Sequence, residues 1–344
     1  MIRLSKSIVG EKESFEVARV IANGYLGMGN ETMLFEEELA DFIGVNRKSV
    51  CSVNTGTSAL HLACQFLFNE GDDVLVPSIT YVASHQAIAS SGATPISVEV
   101  NLRDGLIDLN DAKKRITKNT KGMMYVHYGS NTGDLDKVEE FCKSNNLKLI
   151  HDAAHSFGSN YKSRKVGFKD GIYCFSFDGI KNITSGEGGC IVSNNLDLIN
   201  FCNDARLLGV KKDTEMRFQG KRSYNFDVTH EGYRYHLSNI NSAIGRVQLK
   251  RFQSEFKEKR QEIYKTYVHF FKNIKSIESL DCDTNCDIVP HIMPVLFKSI
   301  ELKKSAEYQL RENNIQFGYH YYPNHLLTKF KTDYSLPVSE DFHN

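Results

Sequence analysis

Residues 172–194 read IYCFSFDGIKNITSGEGGCIVSN. Two short apolar runs, IYCFSF and GGCIVSN, bracket one lysine and a turn with three glycines in four residues. Runs of this length, rich in β-branched and aromatic residues and bounded by glycine, predict strands. The lysine between them, Lys181, is the oddity. A long cation is rarely buried without a partner, and a glycine-rich turn lets backbone come close to something else. Three readings are open at this point: a phosphate clamp, a lysine that bonds a cofactor aldehyde, or an ordinary exposed lysine before a hairpin.

Outward from this pair, the same kind of run recurs from about residue 45 onward: SVCSVN, DVLVP, TPISVEV, GMMYVHY and LKLIHD. Segments with helical spacing lie between several of them, TSALHLACQFLF, YVASHQAIASSG and LDKVEEFCKSNN. Strands alternating with helices predict an α/β fold whose large domain has a mostly parallel seven-stranded sheet between helices. Before it, EKESFEVARVIANG reads as an amphipathic helix ending at Gly24, followed by a flexible YLGMGN. After it, Ser238 is a candidate N-cap for one long helix reaching about Phe271. IVPHIMPVLF, KKSAEYQLRENN and QFGYHYY then suggest a smaller C-terminal α/β domain. The expected division is residues 1–240 for the large domain and 241–344 for the long helix and small domain. The chain reads as stopping after YSLPVSEDFHN without a closing helix.

Composition narrows the function classes. The 344 residues carry 42 Lys+Arg and 42 Asp+Glu, a formal net charge of zero. That balance argues against a nucleic-acid partner held by bulk electrostatics. No stretch approaches the roughly 18 apolar residues of a membrane span, and MIRLSKSIVGEKE has no signal-peptide core. Cys51, Cys64, Cys142, Cys174, Cys190, Cys202, Cys282 and Cys286 are scattered, mostly in apolar runs. Such cysteines serve as small core hydrophobes in a reducing cytosol. CDTNC lacks the second pair that a zinc site needs. A soluble cytoplasmic protein is expected.

In open α/β sheets, ligands bind at the carboxyl ends of the strands, and the chemistry-bearing residues fall there. NTGTSALHLA leaves a strand through Asn54-Thr55-Gly56-Thr57 and begins a helix near Ser58. Small residues and a helix N-terminus suit an anion. The lysine of a Walker loop is missing, and a plain strand-to-helix turn fits as well. HDAAH, from His151 to His155, mimics the zinc motif H-E-x-x-H with Asp for Glu. That motif needs both histidines on one helix face, whereas an apolar strand leads straight into His151. Two readings of Asp152 remain: a polar end to a strand, or a carboxylate aimed at a cationic ring nitrogen.

Pyridoxal phosphate (PLP) asks for company of this kind. Its phosphate needs an anion cradle, its pyridine nitrogen a carboxylate that keeps it protonated, and its ring face needs packing. Gly56, Thr57 and Ser176 offer the first, Asp152 the second, and Tyr81, just after VPSIT, the third. An exposed hairpin lysine requires none of them. The convergence favours the covalent lysine.

The ordered set NTGTSALHLA, VPSITYVASHQAI, HDAAHSFGSNY, FSFDGIKNITSGEGG and GYRYHLSNINSAIGRVQL resembles the DegT/DnrJ/EryC1/StrS family of sugar-nucleotide aminotransferases. The resemblance runs from LSKSIVGEKE through HYYPNHLL, nearly the whole chain. It implies a fold-type I PLP enzyme, a homodimer with shared active sites. It implies that Lys181 bonds the cofactor and that Asp152 pairs with the pyridine nitrogen. Ser176, Gly56 and Thr57 would hold the phosphate, Tyr81 would stack on the ring, and His155 would lie near the phenolic oxygen. Glu187, His320, Tyr321 and His325 are the implied substrate contacts. The sequence departs from the family pattern at Asp178, where members often carry His. It departs again in GYRYHL, where many read GYNYRM. Arg234 therefore stands where an Asn commonly reaches the phosphate of the neighbouring subunit's site, and His236 stands for an Arg.

By the same resemblance, glutamate donates the amino group and a keto-sugar nucleotide accepts it. KNITSGEGG favours C4 of a 4-keto-6-deoxyhexose, such as dTDP-4-keto-6-deoxyglucose in viosamine formation, for amino sugars of O-antigen-type polysaccharide. A 3-keto-sugar aminotransferase would keep every motif named above. A dehydratase relative would carry His in place of Lys181. A non-catalytic PLP-binding regulator would be expected to carry a helix-turn-helix appendage or a basic stripe, and neither is found.

Overall fold

The computed structural model of the protein describes residues 1–222 and 224–344. The seven apolar runs become β1 (Val50–Val53), β2 (Asp73–Pro77), β3 (Thr94–Val98), β4 (Thr120–Val126), β5 (Lys148–Asp152), β6 (Ile172–Ser176) and β7 (Gly189–Ser193). They form one sheet of order β1-β7-β6-β5-β4-β2-β3. β2 to β6 pair in parallel, and β7 runs antiparallel to both β1 and β6. The parallel strands are near-continuous apolar runs because helices cover both faces.

Successive strand residues point to opposite faces, and the core divides accordingly. Ile172 and Cys174 of β6 join a cluster with α3 (Gly56–Leu67), α4 (Ala83–Ser90) and their neighbours. Tyr173 and Phe175 of the same strand join the opposite cluster, with Phe35 and Leu39 of a helix between Asn30 and Ile43. That helix was not singled out in the sequence. The helix expected before it spans Glu11–Ala22. The stretch between the two, expected to be flexible, is pinned. Met28 is fully buried, and Asn239 bonds the carbonyls of Tyr25, Leu26 and Gly27. One polar side chain and its amide thus satisfy a whole connecting loop.

The expected long helix is two helices, Asn239–Arg251 and Lys257–Phe271, joined by a π-turn over Phe252–Phe256. Ser238 caps the first, accepting from Asn241 N–H at 3.2 Å, a contact typically worth about 1 kcal/mol. The expected division after residue 240 falls inside its first turn, and this helix packs on both N-terminal helices. The small domain follows with paired strands Ile277–Ser279 and Val295–Phe297 and the helix Ile300–Glu312. QFGYHYY forms no strand there.

The chain end corrects a further expectation, because Pro337–His343 is a closing helix. Pro at its first position supplies a preset φ where no N–H is needed. Its start is held by Glu99, whose Oε2 accepts from Ser339 N–H at 2.7 Å. Phe342 buries against Tyr128 at 5.5 Å between ring centroids. Of the eight cysteines, all free, six are buried and Cys282 and Cys286 are half-buried. No helix among the described residues is long and apolar enough to cross a membrane.

Candidate active site

β5 and β6 are neighbours in the sheet, so Asp152 and Ser176, their last residues, open the same crevice. Asp152 is only 6% exposed. Its Oδ2 accepts from Ser84 Oγ at 2.7 Å and its Oδ1 from Ala154 N–H at 3.2 Å. Ser84, on the first turn of α4, is itself 2.8 Å from Thr80 Oγ1. Burial pushes the Asp152 carboxyl up; the Ser84 and Ala154 bonds and the Lys181 charge oppose it without cancelling it. Such a group is under-compensated, and a further cation would find it ready.

Lys181 lies in the turn after β6, where its N–H donates to Asp178 O at 3.1 Å. Its Nζ is 3.4 Å from His291 Nε2. Burial pushes the ammonium down; Asp152 and Asp178 pull it back, and the net lies below the ordinary lysine value. A desolvated amine of this kind is more readily neutral and nucleophilic. The exposed-hairpin reading is thereby excluded.

The anion cradle is built by close approach. Thr55 caps α3, accepting from Ser58 N–H at 3.0 Å. A Cβ on Gly56 would lie 2.8 Å from Ser176 Cβ, so only glycine lets the helix start reach β6 this closely. The Ser176 hydroxyl and the free N–H groups at the start of α3 converge there, with Thr57 exposed at the same terminus.

Around this centre, His155 Nε2 lies 2.9 Å from Tyr321 OH, while its Nδ1 is buried without a partner among the described residues. Burial, then the charge of Lys181 and the neighbouring His291 and His320, hold this imidazole well below its usual pKa. Tyr81 is 59% exposed and lies 5.7 Å from Tyr321, ring centroid to ring centroid. Its free face is open. His320 accepts from Tyr128 OH through its carbonyl, and burial and Lys181 push its ring pKa down.

Other sequence candidates stand further back. His325 is buried, with Nδ1 2.7 Å from Ser78 Oγ and Nε2 3.3 Å from Glu340. Both ring nitrogens are committed to holding the C-terminal segment on the sheet. Glu187 is exposed; its carboxyl is pushed up by burial and by Asp178. Arg234 is exposed, and its carbonyl accepts from Asn54 Nδ2 at 3.4 Å, beside the cradle of the same chain. HDAAH is no helical metal motif. His151 belongs to β5, pairs with His127 at 3.1 Å and stacks on Tyr173 at 4.2 Å.

Two residues of the site carried no sequence signal: Ser84 and His291. Ser84 could have been sought from the helix that follows Tyr81. His291 arrives from between two prolines after the long helices, and nothing local marks it.

The model of the DegT/DnrJ/EryC1/StrS aminotransferase family matches residues 7–344. The chain belongs to this family. It is 32% identical to the GDP-perosamine synthase of Escherichia coli O157:H7 over 97% of this chain and 88% of that protein. It is 30% identical to the dTDP-4-dehydro-2,3,6-trideoxy-D-glucose 4-aminotransferase of Saccharopolyspora spinosa, over 99% of this chain and 89% of the other. Among solved structures it superposes on the aminotransferase TlmJ of Streptoalloteichus hindustanus with a TM-score of 0.91 at 27% identity, covering 99% and 91% of the two chains.

As a member of the DegT/DnrJ/EryC1/StrS family, the protein is a PLP-dependent aminotransferase of fold type I. The residues present fit that cofactor. Asp152 is a buried carboxylate in want of a cation, Gly56 leaves room at a helix start that a Cβ would fill, and His155 Nδ1 is an orphaned polar atom beside them.

Proposed function

We propose that the protein moves the amino group of glutamate to C4 of a nucleotide-linked 4-keto-6-deoxyhexose, making an amino sugar for surface polysaccharide. The observation that carries this reading is the desolvated amine of Lys181 set between Asp152, Asp178 and His291. PLP bound here would supply the electron sink that makes the donor's α-proton removable. Lys181 would bond it covalently, Asp152 would face its ring nitrogen, and Ser176, Gly56 and Thr57 would receive its phosphate. Tyr81 would cover one ring face. Once its amine is freed, Lys181 Nζ takes the α-proton of the donor and returns a proton on the other side of the same exchange. Water would then release the keto acid, leaving the amino group with the cofactor, and the reverse sequence would pass it to the keto carbon of the sugar with loss of water. His320, Tyr321 and Glu187 would contact the sugar, and two copies of the chain would share the sites through Arg234.

The names of the relatives support C4. One is a 4-aminotransferase, and another, from Campylobacter jejuni, is the UDP-4-amino-4,6-dideoxy-N-acetyl-beta-L-altrosamine transaminase, 31% identical over 96% of this chain. Their nucleotides differ, dTDP, GDP and UDP, and for this chain dTDP is the starting choice. The test is the visible spectrum of the holoenzyme. Glutamate is expected to move the lysine-bound cofactor band to shorter wavelength, and a 4-keto-6-deoxyhexose nucleotide to restore it. Restoration by 3-keto sugars alone would assign the amination to C3; a band indifferent to glutamate would remove glutamate as the donor.

A further inference from the structure

We propose that His291 is a catalytic residue, whose Nε2–H donates to the amine of Lys181 and holds it neutral and aimed into the crevice. The inference rests on Lys181 being the cofactor-bonding lysine. Three observations converge on it. First, Nε2 is 3.4 Å from Lys181 Nζ. Second, the histidine is fixed by its own backbone, since its N–H donates to Ser130 Oγ at 2.9 Å, and Ser130 in turn bonds the carbonyl of His155. Third, Arg260 ties both partners together: Nη1 donates to Pro290 O at 3.2 Å and Nη2 to Lys181 O at 3.4 Å. One guanidinium therefore sets the backbone of the lysine against the residue preceding the histidine.

The direction of the bond follows from the other nitrogen. His291 Nδ1 is buried without a partner among the described residues. An orphaned N–H is rarer in folded proteins than an orphaned acceptor, so the proton belongs on Nε2 and the lone pair on Nδ1. Nε2–H then needs an acceptor, and the one in reach is the lone pair of a neutral amine. An ammonium would present only donors. The surroundings agree. Burial, Arg260 and His320 all disfavour an imidazolium at His291. Facing Lys181 from other elements, Asp152 and Asp178 draw it toward the ammonium, and His291 works against them. The neutral amine is the form that attacks an aldehyde, with loss of one water, and the form that accepts a proton from carbon.

The test compares His291→Leu and His291→Gln with wild type. Gln places an amide N–H near the Nε2 position, and Leu fills the space without a donor. Two readouts are taken: the rate at which the visible band forms when PLP is added to the apoprotein, and kcat and KM for glutamate. His291→Leu is expected to slow band formation and lower kcat by about tenfold, the scale of one hydrogen bond, with KM for glutamate within about twofold. His291→Gln is expected to recover most of both. Should the Leu variant be insoluble, His291→Asn replaces it, because its shorter amide stops short of the amine. Wild-type rates in Leu or Asn, or no recovery in Gln, overturn the inference. Wild type without a cofactor band, or full turnover in Lys181→Ala, would instead overturn the reading of Lys181 on which it rests.

Discussion

Asp152 sits where burial pushes a carboxyl toward its protonated form, and its neighbours are a serine hydroxyl, a backbone amide and a lysine whose own pKa burial pushes down. Its folded pKa lies above the ordinary value, so the stability it contributes is present at low pH and is lost as pH rises through that raised pKa. At neutral pH the apoprotein therefore carries a cost that a bound cationic ring would remove. Asp152→Asn keeps an acceptor for Ser84 and discards the charge. We expect the apoprotein of this variant to melt a few degrees above wild type at pH 7, while kcat falls on the order of a hundredfold, the scale of one preorganised group in a dry site. Thermal melts with and without PLP, together with turnover, check both halves. A variant less stable than wild-type apoprotein would show that Asp152 is a structural hydrogen-bonding group and not a charge held for the cofactor.

At the scale of elements, the seven strands were legible because each is an apolar run with turn residues at its ends, and a fully buried parallel sheet asks for nothing subtler. The helix Asn30–Ile43 was hidden for the opposite reason. Its buried face includes Glu31, Thr32 and Glu36 beside Phe35 and Leu39. These carboxylates are buried because arginines outside the helix meet them, two of them far along the chain: Arg19 and Arg246 at Glu31, Arg47 and Arg206 at Glu36. A local pattern cannot show that pairing. The same holds in the site. Gly56, Asp152 and Lys181 stand in quotable motifs, whereas Ser84 and His291 are recruited by the packing of α4 and of the chain after the long helices.

Glu36 makes the hidden pairing testable. Arg206 is fully buried, 2.5 Å from Glu36 Oε1 and 2.6 Å from Ser52 O. Burial pushes the Glu36 carboxyl up, but the two arginines and the Ser52 amide outweigh it, and the net lies below the ordinary value. Its contribution is therefore complete above the unfolded carboxyl pKa and fades as pH falls through the folded one. Glu36→Gln leaves Arg206 buried without an anion, and urea unfolding at pH 7 is expected to show a loss of about 3–5 kcal/mol. The gap to wild type should narrow in acid below the ordinary Glu range. A gap independent of pH would mean that shape, not charge, is what the substitution disturbs.

For the molecule as a whole, the segment before Arg234 bears on the proposal that two copies of the chain share their active sites. Tyr224, Phe226 and Val228 are 91%, 56% and 49% exposed. Three exposed apolar side chains shortly before an exposed arginine suit a covering partner. If that partner is a second copy, and Arg234 serves the neighbour's phosphate, inactive chains can repair each other. Lys181→Ala supplies Arg234 but no covalent lysine; Arg234→Glu supplies the lysine but repels phosphate. In a randomly reassorted mixture, half the dimers are mixed and each holds one intact site, so activity should return to about a quarter of wild type. The check is turnover of the mixture against each variant alone, with sedimentation confirming dimers. Dimers that reassort and yet regain nothing would place Arg234 in the site of its own chain, which its bond to Asn54 would then explain. Each active site would then be complete within one chain.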